Sequence, residues 1–327
     1  MVKHLIQAGT YEQARAYARE HHLAPSEWRY LNHPKQARGL RGSDVKVIKV
    51  GTYWDNRNAQ DIGEVVRHQE LTTHEGIGVI IVSFGGGTNS TAMLVGLHER
   101  GIRPDFITFA DTGGERPHTY RHINDVQKWL VKIGFPKVVT VKKVDKNGDV
   151  MTLEQDCLQG EKLPALAYGF KQCSQKFKIQ PQDKYYNNLP ATKAEWKAGR
   201  KIAKYIGFDA NESRRAKDYD DTKYNLEYPL IEWGWDRAKC VEAIERAGLP
   251  QPGKSSCFYC PASTNTEIRE TNALYPELMT RAIAIEKNAH LTHVKGLGRR
   301  FSWESVIATD DMFADAYIDM ACGCYDG

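Results

Sequence analysis

The residue types best suited to chemistry in this chain form a glycine-rich turn, a polar loop and two close pairs of cysteines. The turn reads SFGGGTNS over residues 83–90, between an apolar run at 77–84 and a helical pattern at 90–100. The first N–H groups of a helix lack backbone partners and favour anions, and glycine lets a phosphate approach the backbone closely. We therefore expect the turn to lie open at the sheet edge and to bind phosphate through Ser83, Gly85, Gly86, Gly87, Thr88, Asn89, Ser90 and Thr91. A tight turn without a ligand is the alternative, and the density of hydroxyl groups favours the phosphate site.

The polar loop DTGGERPHTY covers residues 111–120, directly after a predicted strand at 105–110. Ligands of parallel sheets bind beyond the carboxyl ends of the strands, where this loop and the glycine turn both fall. Asp111 could bind a ribose hydroxyl or a hydrated magnesium ion, and Arg116 could pair with phosphate or sulfate. Thr112 and Gly113 are further nucleotide-binding candidates. A charged surface loop is the alternative interpretation.

Four of the seven cysteines lie in two close pairs, CxxC at Cys257 and Cys260 and CxC at Cys322 and Cys324. A CxxC turn can present two thiolates to one ion, so this usage indicates metal or sulfur chemistry. The first residues contain no apolar secretory signal, so we expect a cytoplasmic protein without disulfides. Zinc bound by the CxxC and CxC pairs is one possibility, and buried thiols without metal are another.

Several segments resemble one family of nucleotide-binding enzymes. The glycine turn resembles the SGGxDS pyrophosphate loop of the adenine nucleotide α-hydrolase superfamily, the PP-loop ATPases, with Gly85 replacing the first serine and Asn89 the aspartate. The polar loop is similar to the D-T-G-x-x-x-P-x-T-Y segment of phosphoadenosine phosphosulfate (PAPS) reductases. The segment KQCSQKFKIQP at 171–181 resembles the CCxxRKVxPL segment of cluster-containing reductases, with Cys173 at the first cysteine. The segments at 205–215 and 228–233 extend the resemblance over roughly 76–265.

The resemblance implies a PAPS-reductase-like enzyme that binds an adenine nucleotide, ATP with magnesium or PAPS, and acts in sulfur chemistry. It would reduce a sulfonucleotide, or transfer sulfur in an ATP-dependent reaction to an acceptor such as nucleic acid, with a sulfur or electron donor protein as partner. Arg214 would contact the nucleotide, and Cys322, in a Cys-Gly tail like that of the reductases, would be a nucleophile beside Asp111 and Arg116. Cys173, Cys257 and Cys260 would hold a [4Fe–4S] cluster with one open iron position for external sulfur, or Cys322 or Cys324 would supply a fourth ligand and close the cluster. Zinc is the alternative metal. A non-catalytic, zinc-stabilised module that binds a nucleotide or nucleic acid is the rival function.

The chain has 327 residues, 41% of them hydrophobic and 26% charged, with a net charge of +4. These values exclude a disordered chain, a collagen and a coiled coil, and no apolar run is long enough to span a membrane. Strands and helices alternating over 77–143 predict an α/β fold with a parallel doubly wound sheet. We expect a small N-terminal α/β appendage at 1–70, a nucleotide-binding domain at 76–250 and a helical, cysteine-bearing region at 251–327. Residues 145–190 are interpreted as irregular turns.

The segment AHLTHVKGLGRRFSW, residues 289–303, combines histidines, lysine and arginines with two aromatic side chains. Such a combination could contact a nucleic-acid backbone, with Phe301 and Trp303 as the aromatic partners. A solvated charged surface is the alternative.

Overall fold

The computed structural model describes residues 3–33, 36, 45–50, 79–216 and 221–309. Its first part contains a sheet of three parallel strands in the order β2-β1-β3. The strands are β1 His4–Ala8, β2 Trp28–Tyr30 and β3 Lys46–Val50, and helix α1, Tyr11–Glu20, follows β1. Thr10 begins α1 with a capping box to Gln13. In the described part of residues 1–70, one helix therefore accompanies three strands.

The main sheet has five parallel strands in the order β6-β5-β4-β7-β8. Its strands are β4 Ile80–Ser83, β5 Phe106–Asp111, β6 Val138–Lys142, β7 Ile202–Ile206 and β8 Tyr224–Glu227. The chain builds outward from β4 to β6 and then returns to add β7 on the other side of β4. The strand order therefore reverses at β4, and ligands of doubly wound sheets bind at such a reversal, beyond the carboxyl ends of the strands.

Both faces of the main sheet are covered, which confirms the doubly wound prediction. Along β4, Ile80 and Val82 pack into one core cluster, whereas Ile81 packs into a second cluster with Tyr186 on the opposite face. Successive side chains of a strand point to opposite faces, so a strand covered on both sides must be apolar at every position. The continuous apolar run at 77–84 has this cause.

The helices that surround the sheet vary widely in length. In chain order they are α2 Thr88–Glu99, α3 Pro117–Lys132, α4 Leu153–Gln159, α5 Gln172–Ser174, α6 Gln180–Tyr186, α7 Pro190–Lys197, α8 Pro229–Glu232, α9 Arg237–Arg246, α10 Asn265–Leu274, α11 Pro276–Asn288 and α12 Trp303–Ala308. The break between α10 and α11 falls at Pro276. Within the described residues, no helix is both long and apolar enough to cross a membrane.

The interpretation of residues 145–190 as irregular turns is wrong. They contain α4, a 3₁₀ helix at Ala165–Tyr168, and a π-helical turn at Gln175–Ile179 that joins α5 to α6. These helices are too short to show a clear apolar periodicity in the sequence. They are stabilised by caps and by tertiary packing instead. Thr152, for example, begins α4 with a capping box to Gln155.

Candidate active site

The glycine turn has the conformation expected of an anion-binding strand-to-helix connection, with Gly86 at φ +76°. Its hydroxyl groups stabilise the turn itself. Ser90 Oγ accepts from the Gly85 N–H and donates to the Gly87 carbonyl, and Thr91 Oγ1 donates to the same carbonyl at 2.8 Å. Ser83 is buried and donates to Gln182 Oε1 at 2.7 Å. The N–H groups at the start of α2 are therefore the candidate donors to a phosphate. Phosphate binding there, and direct contacts of these hydroxyls with a nucleotide, stay predictions.

Asn89 is held by two carboxylates from the loop after β7. Its amide nitrogen donates to Asp209 Oδ2 at 3.1 Å and to Glu212 Oε2 at 2.9 Å, while Arg237 donates to its oxygen. Burial and the neighbouring Glu212 raise the pKa of Asp209. An aspartate at position 89 would place a third carboxylate against this pair, which gives a physical reason for the asparagine. Arg214 lies exposed in the same loop, and its contact with a nucleotide stays a prediction.

The buried side chain of His122 stabilises the glycine turn through Thr91. His122 Nε2 lies 2.9 Å from Thr91 Oγ1, and since that hydroxyl donates to the Gly87 carbonyl, the ring donates to the hydroxyl. His122 Nδ1 is buried and has no hydrogen-bond partner among the described residues. Burial lowers the pKa of His122 below its ordinary value, so the ring is neutral at pH 7.

This neutral histidine predicts a specific dependence of stability on pH. Below about pH 6.5 the unfolded chain binds a proton that folded His122 does not, so the free energy of unfolding falls as the pH falls through that window. His122→Gln keeps a donor for Thr91 and should reduce the loss of unfolding free energy between pH 7.5 and pH 5.5. Urea unfolding at the two pH values measures this, with the exposed His293→Gln as control. An unchanged pH dependence in His122→Gln would contradict the assignment.

The polar loop at 111–114 is organised around Asp111, at the end of β5. Asp111 Oδ1 accepts from the Gly113 N–H and from the Tyr120 hydroxyl, both at 2.8 Å, and Oδ2 pairs with Lys142 at 3.1 Å. Only 7% of Asp111 is exposed. The carboxylate therefore shapes the loop, and a direct role toward ribose or magnesium, which would require Lys142 to move, stays a prediction.

Arg116 is a buried cation that suits an anionic ligand. It lies at the N-terminus of α3 and is 4% exposed. Its Nε and Nη2 atoms have no hydrogen-bond partner among the described residues. A buried guanidinium with unsatisfied donors is costly unless an anion completes its hydrogen bonds, so the prediction that Arg116 binds phosphate or sulfate agrees with its surroundings.

Three of the predicted cysteine ligands line one pocket, although they come from distant parts of the sequence. Cys173 in α5 meets Cys257 and Cys260 there, and Cys257 Sγ lies 3.1 Å from Thr112 Oγ1 of the polar loop. The cysteine turn is attached to that loop by a bridge between Glu115 and Cys257 and by the Phe258 N–H, which donates to the Gly114 carbonyl at 2.7 Å. We call this cavity the thiol pocket.

The donor set of the thiol pocket has the chemistry of an iron–sulfur or zinc site. Thiolates are ligands for both, and the buried Ser256 and Tyr259 hydroxyls in its wall have no hydrogen-bond partner among the described residues. The cavity measures about 30 Å³, and within the described residues no three His, Cys, Asp or Glu side chains are placed so that they could hold an ion. The fourth-ligand candidates Cys322 and Cys324, and the proposed nucleophile Cys322, lie outside the described residues. The metal ligands thus stay a prediction.

The expectation that the glycine turn lies open is wrong for this structure. Residues 253–256, which we call the covering segment, lie across it: Ser255 Oγ donates to the Gly85 carbonyl, and the Lys254 carbonyl accepts from His118 Nε2 at 3.1 Å. Gly85 and Gly86 are buried, and Gly87 is partly exposed. A nucleotide bound at the turn, as predicted, would have to displace the covering segment, which leads directly into the cysteine turn.

The aromatic part of the basic segment is also placed differently from the prediction. Trp303 is fully buried in a core cluster with Phe258 and Met279, so it offers no surface for stacking. His293 and Arg300 are exposed, as the prediction of a basic surface requires.

Sequence reasoning missed the groups that connect these parts: Asp209, Glu212, His122, Lys142 and Ser255. The Ser255-Ser256 pair before the cysteine turn is the one sequence feature that could have drawn attention to any of them. Residue spacing does not indicate the others, since each contacts a residue far away in the sequence.

The fold and site define a doubly wound, parallel α/β protein with a candidate anion site at the strand-order reversal and a thiol pocket beside it. Among solved structures, the chain is similar to the U34-tRNA thiolase NcsA from Methanococcus maripaludis with its [4Fe-4S] cluster. The two share 13% identity with a TM-score of 0.38, over 67% of this chain and 75% of the thiolase. No family model matches the sequence, and no curated protein matches it.

Proposed function

We propose that this protein binds ATP at the glycine turn and uses it to activate an acceptor for sulfur transfer. The observation that carries the proposal is the direct connection between the anion site and the thiols. Ser255 links the covering segment to Gly85, and Thr112 contacts Cys257. An activated phosphate ester and a sulfur nucleophile can therefore meet in one small volume, which is the main requirement of such a reaction.

The reaction would take place in two steps. An acceptor oxygen attacks the α-phosphorus of ATP, and pyrophosphate leaves with the electron pair of the broken P–O bond. Hydrosulfide, supplied by a sulfur donor and held at the thiol pocket, then attacks the activated carbon of the acceptor. The C–S bond forms, the C–O bond breaks, AMP leaves with the oxygen and the electron pair, and the sulfur loses its proton. The N–H groups at the start of α2 and the Arg116 guanidinium would stabilise the negative charge that develops on the phosphates.

Cys173, Cys257 and Cys260 would supply the thiolates that hold a [4Fe–4S] cluster, and the cluster would bring sulfur to the site. Because no three side chains of the described residues are spaced to hold an ion, these thiols would first have to move together. In that arrangement Ser256 and Tyr259 would donate hydrogen bonds into the pocket and tune the bound group. With or without the cluster, residues of the glycine turn and Arg116 would bind and orient the nucleotide.

Product analysis tests the proposed function. We expect purified protein to release labelled pyrophosphate from ATP and to form AMP, in amounts that depend on an added acceptor. Sulfite release from PAPS would instead establish sulfonucleotide reduction. Nucleotide binding without either product, together with one zinc per chain and no absorbance near about 400 nm, would establish the rival function of a zinc-stabilised binding module.

A further inference from the structure

A second cavity, of about 660 Å³, lies beside the thiol pocket. The two cavities share Leu153, Pro164 and Cys173 as wall residues. The larger one falls within the usual volume of ligand sites, roughly 300–1,000 Å³. A molecule bound in it would therefore reach Cys173, one of the three thiols of the proposed reaction site. We call it the basic cavity.

The charges that line the basic cavity are mainly positive. Its lysines and arginines are Lys162, Lys176, Arg299 and Arg300, whereas Asp156 is its one carboxylate among the described residues. Asp156 pairs with Lys162 at 3.1 Å. Lys176 and Arg300 are exposed at the rim. A site of this sign attracts a polyanion.

An aromatic side chain accompanies these cations. Phe170, at the end of the 3₁₀ helix, is 62% exposed, and Tyr168 of the same wall is partly exposed. A large exposed phenyl ring has no structural role in a core, but it offers a face on which an unpaired base can stack. It supplies the stacking surface that the buried Trp303 does not.

The wall that carries Arg299 and Arg300 is rigidly attached to the rest of the site. Buried Glu286 accepts hydrogen bonds from the N–H groups of Leu297 and Trp303, at 2.7 and 3.0 Å. Across the cavity, the Arg299 guanidinium donates to the Leu166 carbonyl at 2.6 and 3.0 Å. The basic cavity is thus preorganised. Arg299 stabilises its wall through these hydrogen bonds and is not a cation available to a ligand.

We propose that the basic cavity binds a single-stranded nucleic acid. One unpaired base stacks on Phe170, and flanking phosphates lie on Lys176 and Arg300. Because Cys173 belongs to both cavities, the bound nucleotide presents its reacting atom to the thiol pocket. A single strand should bind more tightly than a duplex, since a cavity of this size admits one unpaired nucleotide and a duplex must first unpair a base to fill it. The assignment of this strand as sulfur acceptor depends on the proposed function, whereas its binding does not.

Fluorescence anisotropy without ATP tests the binding, using labelled 12-nucleotide single strands of RNA and of DNA and the matching duplexes. We expect Phe170→Ala to weaken single-strand binding about tenfold without changing its salt dependence, because stacking is not ionic. Lys176→Glu and Arg300→Glu should each weaken binding about tenfold and reduce the slope of log K against log salt by about 0.7. The matched control is Lys193→Glu, an exposed lysine of α7 that does not line the cavity.

All four side chains are exposed, so the variants should fold, and an unchanged circular dichroism spectrum and melting temperature would show that they do. The inference is supported if either single strand binds and the variants have the expected effects. A preference for RNA or for DNA then identifies which nucleic acid the cavity binds. The inference is wrong if duplex binds as well as single strand, if uridine monophosphate competes as well as the oligonucleotide, or if the variants bind like Lys193→Glu. Absence of ATP turnover alongside intact single-strand binding would instead count against the proposed function alone.

Discussion

Gly86→Ala should lower the affinity for ATP by at least about tenfold, since the turn would lose amide hydrogen bonds to phosphate that each contribute about 1.5–3 kcal/mol. Gly86 has φ +76°, and a Cβ atom there would lie 3.1 Å from Thr119 Cγ2. Thr119 of α3 would have to give way by a few tenths of an ångström, and the positive φ is strained for an alanine. We therefore expect the turn to shift, and with it the N–H groups at the start of α2. Titration calorimetry with ATP measures the effect.

Gly101→Ala is the matched control for this variant. Gly101 follows the same helix, has φ +66°, and no atom would lie within 4 Å of its Cβ. Both variants carry a left-handed alanine, which costs about 1–2 kcal/mol of stability. Only Gly86→Ala should lose ATP affinity. Equal ATP affinity in the two variants would show that the nucleotide binds elsewhere.

Replacement of any one of the three pocket cysteines by serine should reduce sulfur transfer by at least about 100-fold. Loss of a hydrogen bond to a metal ligand already costs 10–100-fold in metal affinity or activity, and loss of the ligand costs more. Cys173→Ser, Cys257→Ser and Cys260→Ser should also lose iron and sulfide in anaerobic analysis. Each should retain ATP binding, because the donors to phosphate belong to the glycine turn and Arg116.

Cys240→Ala provides the control for the cysteine variants. Cys240 lies on the buried face of α9, and burial raises the pKa of its thiol to about 12, so it is not a nucleophile at pH 7. This variant should keep both its metal content and its sulfur transfer. Full activity in Cys173→Ser, or activity lost equally in Cys240→Ala, would remove the thiol pocket from the mechanism.

The sequence was sufficient to predict the centre of the fold because its signals are local. The apolar run before the glycine turn reflects a strand covered on both faces, and the turn itself reflects the backbone geometry of Gly86. The short helices between 145 and 190 were missed because their stability comes from contacts with distant residues. Cys157 and Phe177, for example, pack in one cluster with Phe258 and Ile285 of the C-terminal region.

The candidate site shows the same division. Its loops were predicted from residue types, and the meeting of Cys173 with the cysteine turn followed from a family resemblance. The covering segment was not predictable, since Ser255 contacts a carbonyl 170 positions earlier in the chain. Such a contact leaves no periodic signal, and it changes the expected site from an open turn to one that must be uncovered.

The central claim is that phosphates of ATP bind at the start of α2 and displace the covering segment. Hydrogen–deuterium exchange, measured with and without ATP, tests both parts at once. We expect ATP to slow amide exchange in residues 86–90 and to speed it in residues 253–256. If ATP binds but leaves exchange in both segments unchanged, the nucleotide lies elsewhere and the claim is wrong.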